Sequence, residues 1–193
     1  MKRIVVMISG SGSNLQTLIE QIHLTDVDAE IVGVIANKPD AYGLTRAENA
    51  GIANVCVDSS LYANDRVAYD QLLISTIEQY QPDLIVLAGF MRILTDEFVT
   101  HYLGQLINIH PSLLPKYKGL NTHQRAMDNG DSEHGVSVHF VTPELDDGPV
   151  ILQAKVPIFS DDDADMLAQR VQVQEHHIYP LVVKWFVEGR LLM

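Results

Sequence analysis

The feature that most constrains this fold is a series of short apolar runs that alternate with helical segments through the first half of the chain. Runs without polar interruptions are typical of parallel strands that helices cover on both faces. Alternation of such strands with helices favours a doubly wound α/β sheet. The pattern predicts strands over 3–9, 30–37, 54–58 and 83–88, and helices over 14–22, 43–51 and 65–80.

The second half of the chain follows a different pattern. It begins with a short strand over 106–109, a loop over 115–119 and a helix over 121–129. Residues 135–142 alternate apolar and polar side chains, 150–158 are extended, and a turn at 146–149 separates them, which predicts an antiparallel hairpin at the sheet edge. Acidic residues at 161–163 should cap a long helix over 164–189, which Pro180 would bend or divide. The predicted fold class is therefore α/β, a doubly wound and mostly parallel sheet with an antiparallel hairpin in the C-terminal half.

Length and charge narrow the classes of function. A chain of 193 residues is long enough for one well-packed domain and short for two. Its net charge is −12, from 25 acidic and 13 basic residues, and this disfavours nucleic acids and anionic membranes as partners. Phosphorylated metabolites remain open, because a few backbone amides can hold a phosphate whatever the net charge.

The composition also predicts a cytoplasmic protein. No apolar run reaches the roughly 18 to 20 residues that a membrane span needs. The basic and apolar N-terminus is better explained by a buried first strand than by a signal peptide, because Gly10 and Gly12 interrupt it and no cleavage site follows. Cys56 is the only cysteine, so an internal disulfide is impossible.

A glycine-containing loop over 9–14 joins the first strand to the first helix. Glycines allow close approach of an anion, and a helix N-terminus offers free N–H groups. Leu15 stands at the third glycine position of a dinucleotide fingerprint, and the second strand does not end in the acidic residue that binds a ribose, which argues against nicotinamide cofactors. The loop favours a single phosphate, although a tight turn capped by Ser13 or Asn14 would have the same sequence.

Two polar pairs stand where an open α/β sheet usually binds ligands. Asn108 and His110 lie two apart at the end of a strand, so both should project to one side. An amide donor beside an imidazole can stabilise an oxyanion and move a proton, but a satisfied buried histidine beside a capping asparagine fits equally well. A carboxylate from the turn at Asp146 would orient His110 and favour its protonated form, unless that turn is simply solvated.

Two weaker signals complete the survey. The segment 89–94 follows the strand at 83–88 and so lies at the same ligand-binding edge, or forms an ordinary loop with buried Met91 and Leu94. The pair His176 and His177 diverges by about 100° on a helix and shows no recurring ligand spacing, so we expect no metal site.

Taken together, these segments give the chain a resemblance to a known family. From Ile4 to about Leu192 the chain resembles the phosphoribosylglycinamide formyltransferases, folate-dependent enzymes of purine synthesis. The motifs IVLAGFMRIL and LINIHPSLLPKY occur in a wider group of folate-dependent formyl-transferring enzymes. The stretches ISGSGSNLQ and QEHHIYPLV, with SVHFVTPELDDGPVILQAKVPI, narrow the resemblance to the glycinamide enzymes.

The resemblance implies a reaction and a set of roles. A substrate amine attacks the formyl carbon of the co-substrate 10-formyltetrahydrofolate, and Asn108 and protonated His110 stabilise the oxyanion while Asp146 keeps His110 charged. Neither a metal nor a nicotinamide cofactor is implied. The phosphate would bind at Gly12, Ser13 and Asn14, and the ribose hydroxyls at Glu175. The folate pocket would comprise Arg66, Met91, Arg92, Ile93, Leu94, Asn108 and Thr142.

The resemblance further implies a Rossmann-like formyltransferase fold over 1–193. Its N-terminal half would bind the phosphate substrate, and its C-terminal half would bind folate and carry catalysis, in a monomer or homodimer. Three positions depart from the common pattern. Lys118 replaces a frequent Pro and Asn121 a frequent His in a loop expected to fold over the substrates, while Asp147 replaces a Gly and adds charge beside Asp146.

Three rival interpretations remain. A methionyl-tRNA formyltransferase would need a further RNA-binding domain and a basic surface, and neither is expected of this acidic chain. A formyltetrahydrofolate hydrolase would carry an N-terminal regulatory domain, whereas the first predicted strand begins at residue 3. A phosphometabolite-binding module without catalysis is opposed by the joint presence of Asn108, His110 and Asp146.

Overall fold

The computed structural model describes residues 1–191 and contains one mixed sheet of seven strands within that range. From one edge to the other, the strand order is β3-β2-β1-β4-β5-β6-β7. The strands are β1 (Lys2–Ile8), β2 (Ala29–Ala36), β3 (Asn54–Cys56), β4 (Leu84–Leu87), β5 (Leu106–His110), β6 (Glu133–Phe140) and β7 (Val150–Pro157). The helices are α1 (Ser13–Leu18), α2 (Tyr42–Asn49), α3 (Arg66–Glu78), α4 (Asp96–His101), α5 (Thr122–Asp128) and α6 (Ala164–Val187), with a π-helical turn at Ile19–His23 and a 3₁₀ turn at Ser59–Tyr62.

The sheet confirms the predicted fold class. Strands β1 to β5 pair in parallel, whereas β6 pairs antiparallel with both β5 and β7. The chain winds outward from β1 to β2 and β3, then crosses back to place β4 and β5 on the other side of β1. This reversal creates a topological switch point between β1 and β4, and ligands of open α/β sheets bind in the crevice at such points.

The sequence of the central strand β1 is an uninterrupted apolar run because both faces of the strand are buried. Ile4, Val6 and Ile8 face a core that includes side chains of α1 and α6, and Val5 and Met7 face a second core with side chains of α3 and α4. All five side chains are buried, and burial of each stabilises the fold by about 1.5–3 kcal/mol. Helices therefore cover both faces of the strand, as its apolar composition requires.

The sequence analysis did not predict helix α4. The Thr95 hydroxyl accepts a hydrogen bond from the Phe98 N–H at 3.3 Å, and two acidic residues occupy the first turn. A capping threonine followed by acidic residues is a recognisable helix start, but the helix has only six residues and no apolar repeat. Its stability comes from the buried side chains of Phe98 and Val99, which is a tertiary effect.

Helix α6 is a single helix that continues through Pro180. The prediction that Pro180 might divide this helix is wrong, and the ring is buried against the core. The Tyr179 hydroxyl donates to the carbonyl oxygen of Leu87 at 2.7 Å, which joins the helix to the end of β4. This hydrogen bond and the burial of the ring offset the backbone hydrogen bond that a helical proline removes.

The start of α6 is fixed by a partly buried ion pair. Both terminal nitrogens of Arg170 donate to the Asp162 carboxylate at 2.7 Å, and one of them also donates to the Pro157 carbonyl oxygen at 2.8 Å. The Asp162 carboxylate additionally accepts from the Phe159 N–H at 2.8 Å. These hydrogen bonds lower the pKa of Asp162 to about 2 and tie the end of β7 to α6.

We predict that Asp162→Asn lowers the melting temperature near neutral pH. The folded-state pKa lies below the ordinary value of about 3.9, so the stabilisation is complete above that value and is lost as the pH falls toward 2. Thermal unfolding followed by circular dichroism should therefore show a difference from the unsubstituted chain that shrinks below about pH 4. Asp161→Asn, at the exposed neighbouring position, is the control, and a pH-independent difference would contradict this account.

Candidate active site

The C-terminal end of β5 brings together two of the predicted catalytic side chains. His110 is the last residue of the strand and is 6% exposed. Its Nδ1 lies 3.5 Å from an Asp146 carboxylate oxygen, and both side chains are more than nine-tenths buried. A carboxylate at this distance restricts the ring's orientation.

The loop between β5 and α5 covers this pair with its own backbone. His110 Nε2 lies 2.9 Å from the Tyr117 carbonyl oxygen, which can only accept, so Nε2 carries a proton. The Gly119 N–H donates to the Asp146 carboxylate at 2.9 Å. Both catalytic candidates are therefore held by peptide groups of one loop.

Side chains that point inward anchor that loop. The buried Ser137 hydroxyl donates to the Ser112 carbonyl oxygen at 2.7 Å and accepts from the Leu114 N–H at 3.0 Å. The Thr122 hydroxyl donates to the Pro111 carbonyl oxygen at 2.6 Å. Because Ser137 lies directly opposite His110 in the β5–β6 register, the sheet fixes the start of the loop.

Three residues without a glycine's freedom have a left-handed backbone around the same pair. The φ angles are 55° at Tyr117, 56° at Asn121 and 49° at Asp146. Such conformations cost free energy and persist where the surrounding structure enforces them, which is frequent at functional sites. Asn121 caps the N-terminus of α5 through its backbone alone.

The third catalytic candidate, Asn108, lies one pleat before His110 on the same side of β5. It is the only residue of the strand with intermediate exposure, and the other four are buried. Its Nδ2 lies 3.2 Å from Nε2 of His139 on β6. Thus Asn108, His110 and Asp146 converge at one point on the sheet edge.

A hydrogen bond joins the loops after β1 and β4 across the switch point. The Ser9 hydroxyl accepts from the Met91 N–H at 2.7 Å. The glycine loop of 9–14 and the segment 89–94 therefore lie side by side at the C-terminal edge of the sheet. This places the predicted phosphate loop beside the predicted folate segment.

The glycine loop has the geometry of an open helix N-terminus. Gly12 has φ = 70°, and a Cβ at this position would lie 2.8 Å from the Gly43 Cα, so any larger residue would force the backbone here to shift. Gly12 also occupies the N-cap of α1, and no side chain caps this terminus. The alternative of a turn capped by Ser13 or Asn14 is therefore wrong.

Glu175 on α6 reaches the glycine loop. The Asn14 amide donates to its carboxylate at 2.8 Å. Burial raises the pKa of Glu175, and the Asn14 hydrogen bond and the charges of His176 and His110 oppose that rise. The residues predicted to hold the phosphate and the ribose thus contact each other and lie close to His110.

Most of the predicted folate residues lie in the segment that follows β4, and one more contacts it from α3. The Arg66 guanidinium donates to the Ile93 carbonyl oxygen at 2.9 Å. Met91 is 69% and Ile93 58% exposed, which is unusual for large apolar side chains that lie so close together in the chain. Arg92 lies over the Tyr69 ring, with its guanidinium carbon 4.1 Å from the centroid. Of the remaining predicted residues, Leu94 is buried in the core, and Thr142 is half-buried just beyond β6.

Two departures from the common family pattern contact each other. The Lys118 ammonium forms an ion pair with the Asp147 carboxylate, and this contact lowers the pKa of Asp147. It joins the loop that covers His110 to the turn that carries Asp146. Both side chains are more than one-third exposed, so solvent screens the attraction.

His176 and His177 do not extend into a metal-binding cluster. Across residues 1–191, no group of three or more His, Cys, Asp or Glu side chains is arranged to hold a metal ion.

In the same part of the chain, no helix combines the length and apolar character needed to cross a membrane.

Several residues at the site were not predicted from the sequence. Ser9, Tyr117, Gly119 and His139 contact the candidate residues through backbone groups or through side chains distant in sequence. The alternation of β6 placed His139 on one face of its strand, but pairing with Asn108 depends on a strand register that no local pattern specifies.

Comparison with known proteins assigns the class of protein. A profile of the formyl transferase family matches residues 2–183, and the chain therefore belongs to this family. It is 58% identical over 190 residues to the phosphoribosylglycinamide formyltransferase of Escherichia coli (strain K12), covering 98% of this chain and 89% of that protein. The resemblance inferred from the sequence is thus confirmed.

Two further relatives agree with this assignment. The trifunctional purine biosynthetic protein adenosine-3 of Drosophila melanogaster is 45% identical over 194 residues, which cover 100% of this chain and 14% of that protein. The structure of the phosphoribosylglycinamide formyltransferase from Coxiella burnetii superposes with a TM-score of 0.93 at 52% identity, covering 98% of this chain and 89% of that one.

We predict that the Lys118–Asp147 ion pair slows opening of the loop over His110. Asp147→Asn should speed amide hydrogen exchange of residues 115–121, and the charge-swapped Lys118→Asp/Asp147→Lys chain should restore much of the protection. The effect should be largest at low ionic strength, because salt screens exposed pairs.

Lys155→Gln removes a similar exposed pair with Glu133, on β7 and β6, and serves as the control for this exchange experiment. Equal exchange of the loop in all variants, measured by mass spectrometry, would show that the pair has no influence on it.

Proposed function

We propose that this chain transfers the formyl group of 10-formyltetrahydrofolate to the amine of 5-phosphoribosylglycinamide, in the cytoplasm, as a step of purine synthesis. The products are the N-formyl compound and tetrahydrofolate. The observation that carries the proposal is the convergence of Asn108, His110 and Asp146 at the end of β5, beside the two loops of the switch point. The names of the relatives at 58% and 52% identity support the choice of substrates.

The glycine loop provides the phosphate site in this proposal. The backbone at Gly12, Ser13 and Asn14 presents N–H groups at the start of α1 without a capping side chain. Glu175, which accepts a hydrogen bond from Asn14, would accept further hydrogen bonds from the ribose hydroxyls. The glycinamide amine would then extend from the loop toward His110.

The surface after β4 provides the folate site. The exposed side chains of Met91 and Ile93 offer apolar contact to a flat heterocycle, and Arg66 offers a cation to a folate carboxylate. Arg92, Leu94 and Thr142 line or support the same surface. We propose that the domain extends over 1–193, with phosphate binding in its N-terminal half and folate binding and catalysis mainly in its C-terminal half.

The chemistry follows from the donors at the end of β5. When the amine nitrogen attacks the formyl carbon, the carbonyl double bond opens and negative charge develops on the formyl oxygen. The His110 Nε2–H now donates to the Tyr117 carbonyl oxygen, an amide acceptor of the same kind as the formyl oxygen. We propose that the formyl oxygen replaces Tyr117 as this acceptor, and that the Asn108 amide donates to the same oxygen.

Collapse of the tetrahedral intermediate restores the carbonyl and breaks its bond to the folate nitrogen. The amine loses one proton and the folate nitrogen gains one, so no external acid or base is consumed. We propose that His110 relays this proton directly or through water, and that the Asp146 carboxylate, 3.5 Å from its Nδ1, stabilises the charged ring during transfer.

The direct test is a spectroscopic transfer assay with 10-formyltetrahydrofolate. We expect the unsubstituted chain to formylate 5-phosphoribosylglycinamide. It should neither formylate methionyl-tRNA nor hydrolyse 10-formyltetrahydrofolate. His110→Ala should slow transfer by about 100-fold or more, because it removes an oxyanion donor and the proton relay.

His101→Ala, an exposed histidine on α4, should keep the original rate in this assay. Failure to turn over 5-phosphoribosylglycinamide would refute the function, and a fully active His110→Ala chain would refute the mechanism.

We further predict that Gly12→Ala raises the KM for the phosphorylated substrate more than the KM for the folate. The added Cβ clashes with the Gly43 backbone and must shift the phosphate loop. Gly189→Ala introduces a side chain at the same kind of left-handed position, φ = 69°, with nothing within 4 Å. Steady-state kinetics should show normal KM values for that control, and equal changes in both chains would contradict a phosphate-loop effect.

A further inference from the structure

His139 is a buried imidazole that adjoins the catalytic residues and to which the proposed mechanism gives no role. It lies on β6 directly opposite Asn108 in the antiparallel register and is 2% exposed. Its Nδ1 lies 2.9 Å from the Phe140 carbonyl oxygen, and its Nε2 lies 3.2 Å from the Asn108 amide nitrogen. Both ring nitrogens therefore have close polar partners.

The partners specify which ring nitrogen of His139 carries the proton. The Phe140 carbonyl oxygen can only accept, so Nδ1 must be the donor. Burial lowers the pKa of His139, and the nearby His110 acts in the same direction, whereas the Phe140 carbonyl and Asp146, 3.9 Å away, act in the opposite direction. The ring is neutral near pH 7 because burial is the largest of these effects, so Nε2 presents a lone pair.

The lone pair on Nε2 selects one of the two orientations of the Asn108 amide. The NH₂ group can donate to it, whereas the amide oxygen would face it lone pair to lone pair. With one N–H committed to His139, the second N–H is left to donate elsewhere, and Asn108 is the one residue of β5 that is not buried. Without this partner, the amide could turn its oxygen toward the site and repel a developing oxyanion.

We infer that His139 is a positioning residue that fixes the Asn108 amide with its NH₂ group toward the formyl oxygen. This role rests on the proposed function, in which Asn108 donates to the oxyanion. A positioning role differs from a packing role because its effect on kcat requires the Asn108 side chain. The two interpretations therefore predict different results when Asn108 is already absent.

The test is a double-mutant cycle between His139 and Asn108. His139→Phe keeps an aromatic ring and loses both nitrogens. We expect it to lower kcat by about 10-fold or more. The loss should stay below the roughly 100- to 1,000-fold decrease expected when an oxyanion donor itself is removed. The KM for the amine substrate should change little, because the phosphate and ribose contacts lie elsewhere. In the Asn108→Ala chain, the same substitution should lower kcat by less than about twofold further.

A conservative variant separates positioning from loss of packing. In His139→Gln, the side-chain amide can again accept from Asn108 and donate toward Phe140, so we expect most of the lost kcat to return. His23→Phe removes another imidazole hydrogen bond, from the Ile31 N–H at 3.2 Å, outside the site and serves as the control with unchanged kcat. Melting temperatures of all variants verify folding.

The possible results separate a failure of the inference about His139 from a failure of the proposed formyl-transfer function. A wild-type chain without formyl transfer, or an Asn108→Ala chain at the wild-type rate, would refute the proposed function or the role of Asn108. Normal wild-type transfer combined with additive losses at the two positions would refute the role of His139 alone. A folded Gln variant as slow as the Phe variant would also refute it.

Discussion

The antiparallel pairing of β5 with β6 is the constraint on which the arrangement of this site depends. One register places His139 opposite Asn108 and Ser137 opposite His110. The first pair orients an amide, and the second fixes the loop that runs on from His110, because the Ser137 hydroxyl bonds that loop's backbone. A slip of one residue would turn every side chain of β6 to the other face of the sheet, so the register is strongly specified by the buried core.

The parallel half of the sheet supplies the second part of the site through its topology. Because the strand order reverses between β1 and β4, the loops that follow these strands diverge and leave a crevice between them. The Ser9–Met91 hydrogen bond spans this crevice at its base. The polar side chains of the antiparallel half and the glycine loop of the parallel half thus meet at one edge.

Two loops complete the site, and electrostatics links them. Tyr117 and Gly119 in one loop bind His110 and Asp146 through backbone groups, and Lys118 between them pairs with Asp147 in the other loop. Asp147 is next to Asp146 in sequence, but its carboxylate forms an ion pair with Lys118. Two of the three residues that depart from the common pattern, Lys118 and Asp147, therefore balance each other's charge.

The sequence by itself determined the sheet class, the strands and most helices, because apolar runs and glycine-bounded helices are local patterns. It also indicated Asn108, His110 and the glycine loop, whose positions at strand ends follow from strand periodicity. Helix α4 and the unbroken path of α6 through Pro180 were decided by burial against the sheet, which local propensity does not report. Only the tertiary structure decided the contacts from Asp146, Glu175 and His139, since each joins residues whose proximity depends on strand register and helix packing.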